Sequence, residues 1–286
     1  MNPIWRAASV GLVLVILGGA GIAQEADKPR AAKLHGSFIQ FSNAQVSWTD
    51  DSWRQLLGYF ARLGVSQVVV QWAVNDNTAY YPSAIHRPVF QPPLEKVPLV
   101  GKHRSFRGWY ITEEIEDATW KKPDARSVVI AHVRELATNL RALKPDATIA
   151  ISGFSNAETT PATFGQFWSD LLRAAPVDVL LFQDGIGVGK QALSSLPLYL
   201  AAARDAASRN GRQMQVVVEI FQQVTTTPAF VAVPAPLDRV TRQIDVAATY
   251  SSAPGPIAFS IPEYMTPLGG PDAQRLFEAY LARLNR

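Results

Sequence analysis

The sequence predicts an α/β chain folded as one (β/α)8, TIM-like barrel, irregular or shortened at its third β-α unit. Three observations carry that expectation. Short β-branched apolar runs alternate with longer amphipathic runs from residue 36 to residue 284, and such alternation means right-handed crossovers and a parallel sheet. Seven strand-like segments are evident, one short of a barrel. Where the missing unit belongs, residues 75–105 hold five prolines and no clean helical pattern. A doubly wound sheet is the rival architecture, but it calls for a glycine-rich turn after the first strand. Here FSNAQVSW follows that strand, without glycine.

Each element has a local reason. GSFIQF (36–41) reads as a strand, and 49–64 as a helix with Thr49 or Asp50 as cap and Gly64 as stop. SQVVVQWAV (66–74) is apolar on both faces, as a strand covered by helices must be. FRGWYITEEI (106–115) is the next strand, and 124–143 a helix ended by Lys144-Pro145. TIAISGF (148–154) is a strand, and 161–175 a helix with proline in its first turn. VDVLLFQD (177–184) is followed by a helix within 191–210, closed by Asn210-Gly211. MQVVVEIF (214–221), a helix at 237–248, PIAFSI (256–261) and a closing helix at 272–284 complete the series.

Composition bounds the function. Of 286 residues 48% are hydrophobic and 18% charged, which excludes general disorder. The net charge is +3 and no Lys/Arg cluster faces a row of phosphates, so nucleic acid is not an expected partner. Absence of cysteine excludes thiol catalysis, cysteine-ligated zinc and disulfides. His35, His86, His103 and His132 are scattered without H-E-x-x-H spacing, and no G-x-S-x-G elbow occurs. QDGIGVGK (183–190) fails both phosphate-loop patterns, with Asp184 and Gln191 where one needs Gly and Ser/Thr, and Lys190 where the other needs Gly. No metal and no cofactor is expected.

The N-terminus has the layout of a secretory signal peptide. Arg6 precedes an uncharged run from Ala7 to Ala23, with Gly21 and Ala23 before the expected cut. An uncleaved anchor is the alternative, although seventeen residues with four glycines are marginal for a span of about 20. The expected organisation is a signal at 1–23, a flexible segment at 24–33 and a single barrel domain at 34–286. Such a chain would be periplasmic or secreted, without stable membrane association once cleaved.

GSFIQF, VVVQW, AYYPS, GWYITEEIEDATW, ISGF, LLFQDGIGV, VVVEIF and PEYM-x-P together resemble a family of exported bacterial TIM-barrel proteins. That family carries a domain-of-unknown-function label and is regarded as glycoside-hydrolase-like. The resemblance runs over roughly residues 34–284. It implies glycoside hydrolysis as a class and lends no substrate. The family usually keeps a helix and a third strand between AYYPS and GWY, for which this chain lacks room.

Glycoside hydrolysis needs two carboxyls across one bond, and a barrel presents such groups at the C-terminal ends of its strands. Strand parity separates Glu113 from Glu114: Trp109 and Ile111 share a face with Glu113, whereas Tyr110 and Thr112 share the other with Glu114. The apolar pair suits the helix-facing side, so Glu114 is expected to point inward. Glu219 sits within VVVEIF, where a charge is costly unless it is paired or reaches a polar cavity. It either looks into the barrel mouth or pairs with an arginine. If the shortened unit counts as the third, Glu114 follows the fourth strand and Glu219 lies on the seventh. These positions resemble those at which the large clan of retaining barrel glycosidases carries its acid/base and its nucleophile. Glu113 stands where that clan shows Asn.

The expected mechanism is therefore a retaining glycosidase. Glu114 is its acid, protonated by the aromatic surroundings of Trp109, Tyr110 and Trp120, and Glu219 its nucleophile, kept ionised by donors such as Tyr264. Gln40, Gln71, Gln183 and Asp184 are expected to hold hydroxyls, and Trp72, Tyr110, Trp120 and Tyr264 to line a sugar site. A non-catalytic glycan-binding or exopolysaccharide-assembly protein on the same scaffold is the competing class.

Overall fold

A computed structural model describes residues 31–40, 45, 47–71, 105–225 and 230–285, together with the backbone of 12–16. The expected irregular unit at 75–105 lies outside them except for Ser105, as do Trp72 and most of the expected signal. Among the described residues no helix is long and apolar enough to cross a membrane.

Seven parallel strands make the barrel: β2 (Gly36–Gln40), β3 (Gln67–Gln71), β4 (Phe106–Glu116), β5 (Thr148–Phe154), β6 (Val179–Gln183), β7 (Gln213–Glu219) and β10 (Ile257–Phe259). The eighth place, between β3 and β4, is taken by β1 (Leu12–Ile16), which runs antiparallel to both. That strand comes from the apolar run read above as a leader. Counted round the barrel from β2, Glu114 lies on the fourth strand and Glu219 on the seventh.

Local signals set most helix ends. In α1 (Asp50–Leu63), Thr49 Oγ1 accepts from the Ser52 N–H, and Gly64 closes the helix in the left-handed region at φ 70°. The outer layer continues with α3 (Pro123–Leu143), α4 (Pro161–Ala174), α5 (Leu196–Arg209), α6 (Leu237–Tyr250) and α8 (Pro271–Leu284). Short helices α2 (Asp117–Trp120) and α7 (Ile261–Tyr264) follow β4 and β10. The 214–221 strand departs from expectation, because it breaks at Ile220. The chain then forms a separate hairpin of β8 (Phe221–Thr225) and β9 (Val231–Pro234).

Inside the barrel, Phe38, Val69, Tyr110, Leu181, Val217 and Ile257 form a dry plug. Below it, at the N-terminal end, the Gln67 and Gln215 amides bond each other at 3.1 Å and 3.2 Å. Outside, Trp109, Ile111 and Ile115 pack with the helix layer. The split of β4 residues between these two cores is the alternation the sequence predicts. β4 also carries a bulge: Ile111 pairs with Ile151 but Glu114 pairs with Ser152, so Thr112 and Glu113 are extra. Two added residues leave parity intact and keep Glu114 on the inner face.

Gly108 is demanded by the approach of β4 to β5, since a Cβ there would lie 1.9 Å from the Thr148 carbonyl oxygen. Neither backbone can yield without breaking the ladder. Gly108→Ala should therefore destabilise the protein by about 1–3 kcal/mol or more, read as a lower urea midpoint. An unchanged midpoint would mean that β4 and β5 do not pack this closely.

Candidate active site

The inward residues one step beyond the plug form the mouth: Gln40 on β2, Gln71 on β3, Glu114 on β4, Gln183 on β6, Glu219 on β7 and Phe259 on β10. Gln183 Nε2 donates to Glu114 Oε1 at 2.9 Å, so two predicted site residues meet directly. Glu114 is exposed to solvent. Gln71 is 5% exposed, and its Oε1 has no hydrogen-bond partner among the described residues.

Glu219 is the opposite case. It is 5% exposed, and its Oε2 accepts from the Val188 N–H at 3.0 Å and from the Gly187 N–H. The loop after β6 thus folds back over the seventh strand. A Cβ on Gly187 would lie 2.9 Å from Glu219 Oε2 and 2.6 Å from the Phe221 carbonyl oxygen, so only glycine allows that approach. Burial, then the neighbouring Asp184 charge, pushes the Glu219 carboxyl well above the usual range, against the pull of the two amides. Glu114 adds to the rise, which puts both carboxyls in one electrostatic field. Of the two readings left open for Glu219, the mouth is the one the geometry supports. Arg239 of α6 feels its charge, but its guanidinium donates to the Phe221 carbonyl.

Asp184 does not reach the mouth. It is fully buried, where Oδ1 accepts from the Glu219 and Ile186 N–H groups and Oδ2 from Gln243 Nε2. Every acceptor direction is turned into the protein, so it cannot hold a hydroxyl as predicted. Burial raises its carboxyl above the ordinary range, opposed first by the Gln243 hydrogen bond.

The aromatic expectations divide. Tyr110 is wholly buried in the plug, with its hydroxyl 2.6 Å from Ser152 Oγ and its ring edge-on to Phe38. It floors the site and touches nothing entering from solvent. Trp120 belongs to the helix layer, stacked at 3.8 Å on Phe167 of α4. Trp109 faces the same layer and packs on Phe106. Two of the three rings expected to enclose Glu114 thus pack in the helix layer, and Glu114 itself is exposed to solvent. Tyr264 follows β10 and lies in the field of Glu219. The donors to the Glu219 carboxyl, however, are the Val188 and Gly187 N–H groups and not the Tyr264 phenol that was expected. The Tyr264 ring lies tilted by 31° against Phe221 at 5.1 Å, and its phenol is pushed up to about 12 by burial, then by Glu263 and Glu219.

Glu113 lies in the bulge and bonds His132 of α3 at 3.0 Å. The cap of α2 is Glu116, whose oxygens accept from Ala118 and Thr119 N–H groups. A cavity of about 410 Å³ between β4 and α3 is lined by Glu113, Glu114, Trp120, Val129 and His132. It reaches Glu114 but not Glu219, so a ligand there would meet only one of the two acids.

Three participants escaped the sequence reading. Glu263, just after β10, accepts from Gln45 Nε2 at 2.8 Å and from Ser260, and burial raises its carboxyl. Its signal was an acid directly beyond a strand end. Gln243 stands among Val240, Ile244 and Ala247 on the buried face of α6, a polar residue in an apolar stripe. Phe259 ends β10 on the inner face and lies 5.6 Å from Phe38.

Residues 95–274 match the family described as Domain of unknown function (DUF4434), and the chain belongs to that family. No curated protein matches the chain in sequence. Its fold is similar to a crystal structure described as "a putative alpha-L-fucosidase from Bacteroides thetaiotaomicron VPI-5482". The TM-score is 0.68 and the identity 17%, covering 94% of this chain and 98% of that one. At that identity the likeness shows the barrel fold and nothing finer.

The folded protein binds the Glu219 proton more tightly than the unfolded chain does, because burial lifts its carboxyl. That contribution is complete below the ordinary glutamate value of about 4.3 and is lost as pH rises through the raised one. Glu219→Gln keeps the shape and cannot ionise. Its stability relative to wild type should therefore climb between about pH 4 and about pH 9 in urea titrations. Parallel curves would show that the acid is not buried as described.

Proposed function

We propose that this DUF4434 chain hydrolyses a glycosidic bond in a polysaccharide or oligosaccharide, using Glu114 and Glu219. One observation carries the reading: two carboxyls point into the mouth from the fourth and seventh strands, in different environments. Glycoside hydrolysis needs such a difference, since one group must bring a proton and the other a negative charge. Gln183, Gln71 and Gln40 are amides that can pair with hydroxyls, and Phe259, Phe221 and Tyr264 offer apolar ring faces. The glycoside-hydrolase-like barrel supports the class.

The roles follow desolvation. Glu219 is the group whose burial retains a proton, so we assign it as proton donor. Glu114, exposed and held by Gln183, is the opposing carboxylate. This reverses the assignment made from strand position, because the rings meant to protect a proton on Glu114 face elsewhere. Retention of configuration goes with a carboxyl separation of roughly 5–5.5 Å.

The competing class, a glycan-binding protein without turnover, draws on Glu113. That side chain is committed to His132, so the mouth lacks the polar neighbour that the retaining clan places before its fourth-strand acid. Export remains part of the proposal, with a mature chain beginning near Gln24. Cleavage there would remove β1 and open the seam between β3 and β4. N-terminal sequencing from the native host decides it.

An activity screen over glycans and activated aryl glycosides tests the function. On natural linkages Glu219→Gln and Glu114→Gln should each lose about 10²-fold or more. On aryl glycosides with good leaving groups, Glu219→Gln should recover most of its rate, because such groups depart without a proton. Recovery in Glu114→Gln instead would restore the original roles. Binding without turnover in wild type would favour the competing class.

A further inference from the structure

The mechanism just proposed leaves a fully buried acid unused. Asp184 is 0% exposed, as is Gln243, and the two bond each other at 2.6 Å. Gln243 Nε2 also reaches the Glu219 carbonyl oxygen at 3.2 Å, while Asp184 Oδ1 receives the Glu219 and Ile186 N–H groups, each at 3.2 Å. Two side chains from different elements thus grip the main chain of Glu219 from both sides. The same aspartate pins the start of the loop whose Gly187 and Val188 amides hold the Glu219 carboxyl. Gln223 N–H closes the arrangement by donating to the Gly187 carbonyl at 2.8 Å.

From this geometry we infer that Asp184 and Gln243 form a buried clamp that positions Glu219, and that Asp184 acts on the site's chemistry only through that glutamate. The inference rests on Glu219 as a reacting carboxyl, but the clamp itself does not depend on which reaction occurs. A buried charge is costly and persists where a network satisfies it. Here the network ends on one residue, the single acid of β7. Asp184 thereby sets two properties of Glu219: the direction of its carboxyl and the ease with which it gives up a proton. The other groups facing Glu219 are Glu114 from β4, Arg239 from α6 and Tyr264 from α7. None of these three hydrogen-bonds the Glu219 backbone in the way Asp184 does.

Gln243 shows how tightly the arrangement is matched. Its Oε1 is buried without a partner. Turning the amide over would lose both donated hydrogen bonds and set that oxygen against Asp184 and the Glu219 carbonyl, both acceptors. The ionised aspartate keeps the amide in its present orientation.

The test is a carbon-13 NMR titration of side-chain carboxyls in the full chain, with Glu219 and Asp184 assigned through Glu219→Gln and Asp184→Asn. In Asp184→Asn the Glu219 resonance should titrate at a lower pH than in wild type, by about one unit or more, since a neighbouring negative charge is gone. In Gln243→Met, which keeps both acids, the Asp184 resonance should move to higher pH, because it loses the hydrogen bond that favours its charge. A folded Asp184→Asn whose Glu219 midpoint is unchanged overturns the proposal, since mere support of the fold would not move that proton. If Asp184→Asn does not fold, an unmoved Asp184 midpoint in Gln243→Met overturns it instead. Neither readout needs substrate, so a failed glycan screen would leave this result standing.

Discussion

Because successive residues of a strand point to opposite faces, filling the barrel centre with Phe38, Val69, Tyr110, Leu181 and Val217 also decides what stands at the mouth. Two residues further along the same strands come Gln40, Gln71, Gln183 and Glu219. The apolar plug excludes water from below and leaves the polar ring open only above. On β4 the same rule survives a two-residue bulge, so Glu114 joins the ring while Glu113 turns away to His132. The site is thus a consequence of core packing, one layer removed.

Desolvation then distinguishes residues that composition treats alike. Glu114 and Glu219 are the same side chain on the same inner face, yet one meets solvent and the other lies beneath a folded-back loop. The loop can lie there because Gly187 has no Cβ to strike Phe221 or Glu219. Two backbone amides pull the Glu219 carboxyl towards its charged form, and burial beside Asp184 pulls the other way and prevails. The hairpin of β8 and β9 extends the wall on this side, carrying Phe221 against Tyr264. The opposite side, at β2 and β3, is lined by amides.

Likeness of fold enters this argument only as a frame. A barrel fold shared at 17% identity says where functional groups gather, at the C-terminal strand ends, and leaves their identity to this chain's own residues. What those residues offer is specific: two acids of unlike exposure, three glutamines, and a buried aspartate attached to one acid through its main chain.

The sequence by itself determined the barrel, its seven parallel strands with the helices between them, and the inward direction of Glu114. For Glu219 it left the mouth and an arginine pair both open. What it did determine follows from local periods of 2 and 3.6 residues. Helix limits such as Thr49 and Gly64 were legible for the same reason, being set within one turn of chain. Only the tertiary structure decided which acid is desolvated, that Asp184 serves Glu219 from inside, that Trp120 stacks on Phe167, and that a strand from residues 12–16 stands in the third place. Each of those depends on partners tens of residues away. Burial and hydrogen bonding are properties of what packs against a side chain, and a period along the chain records only which way that side chain points.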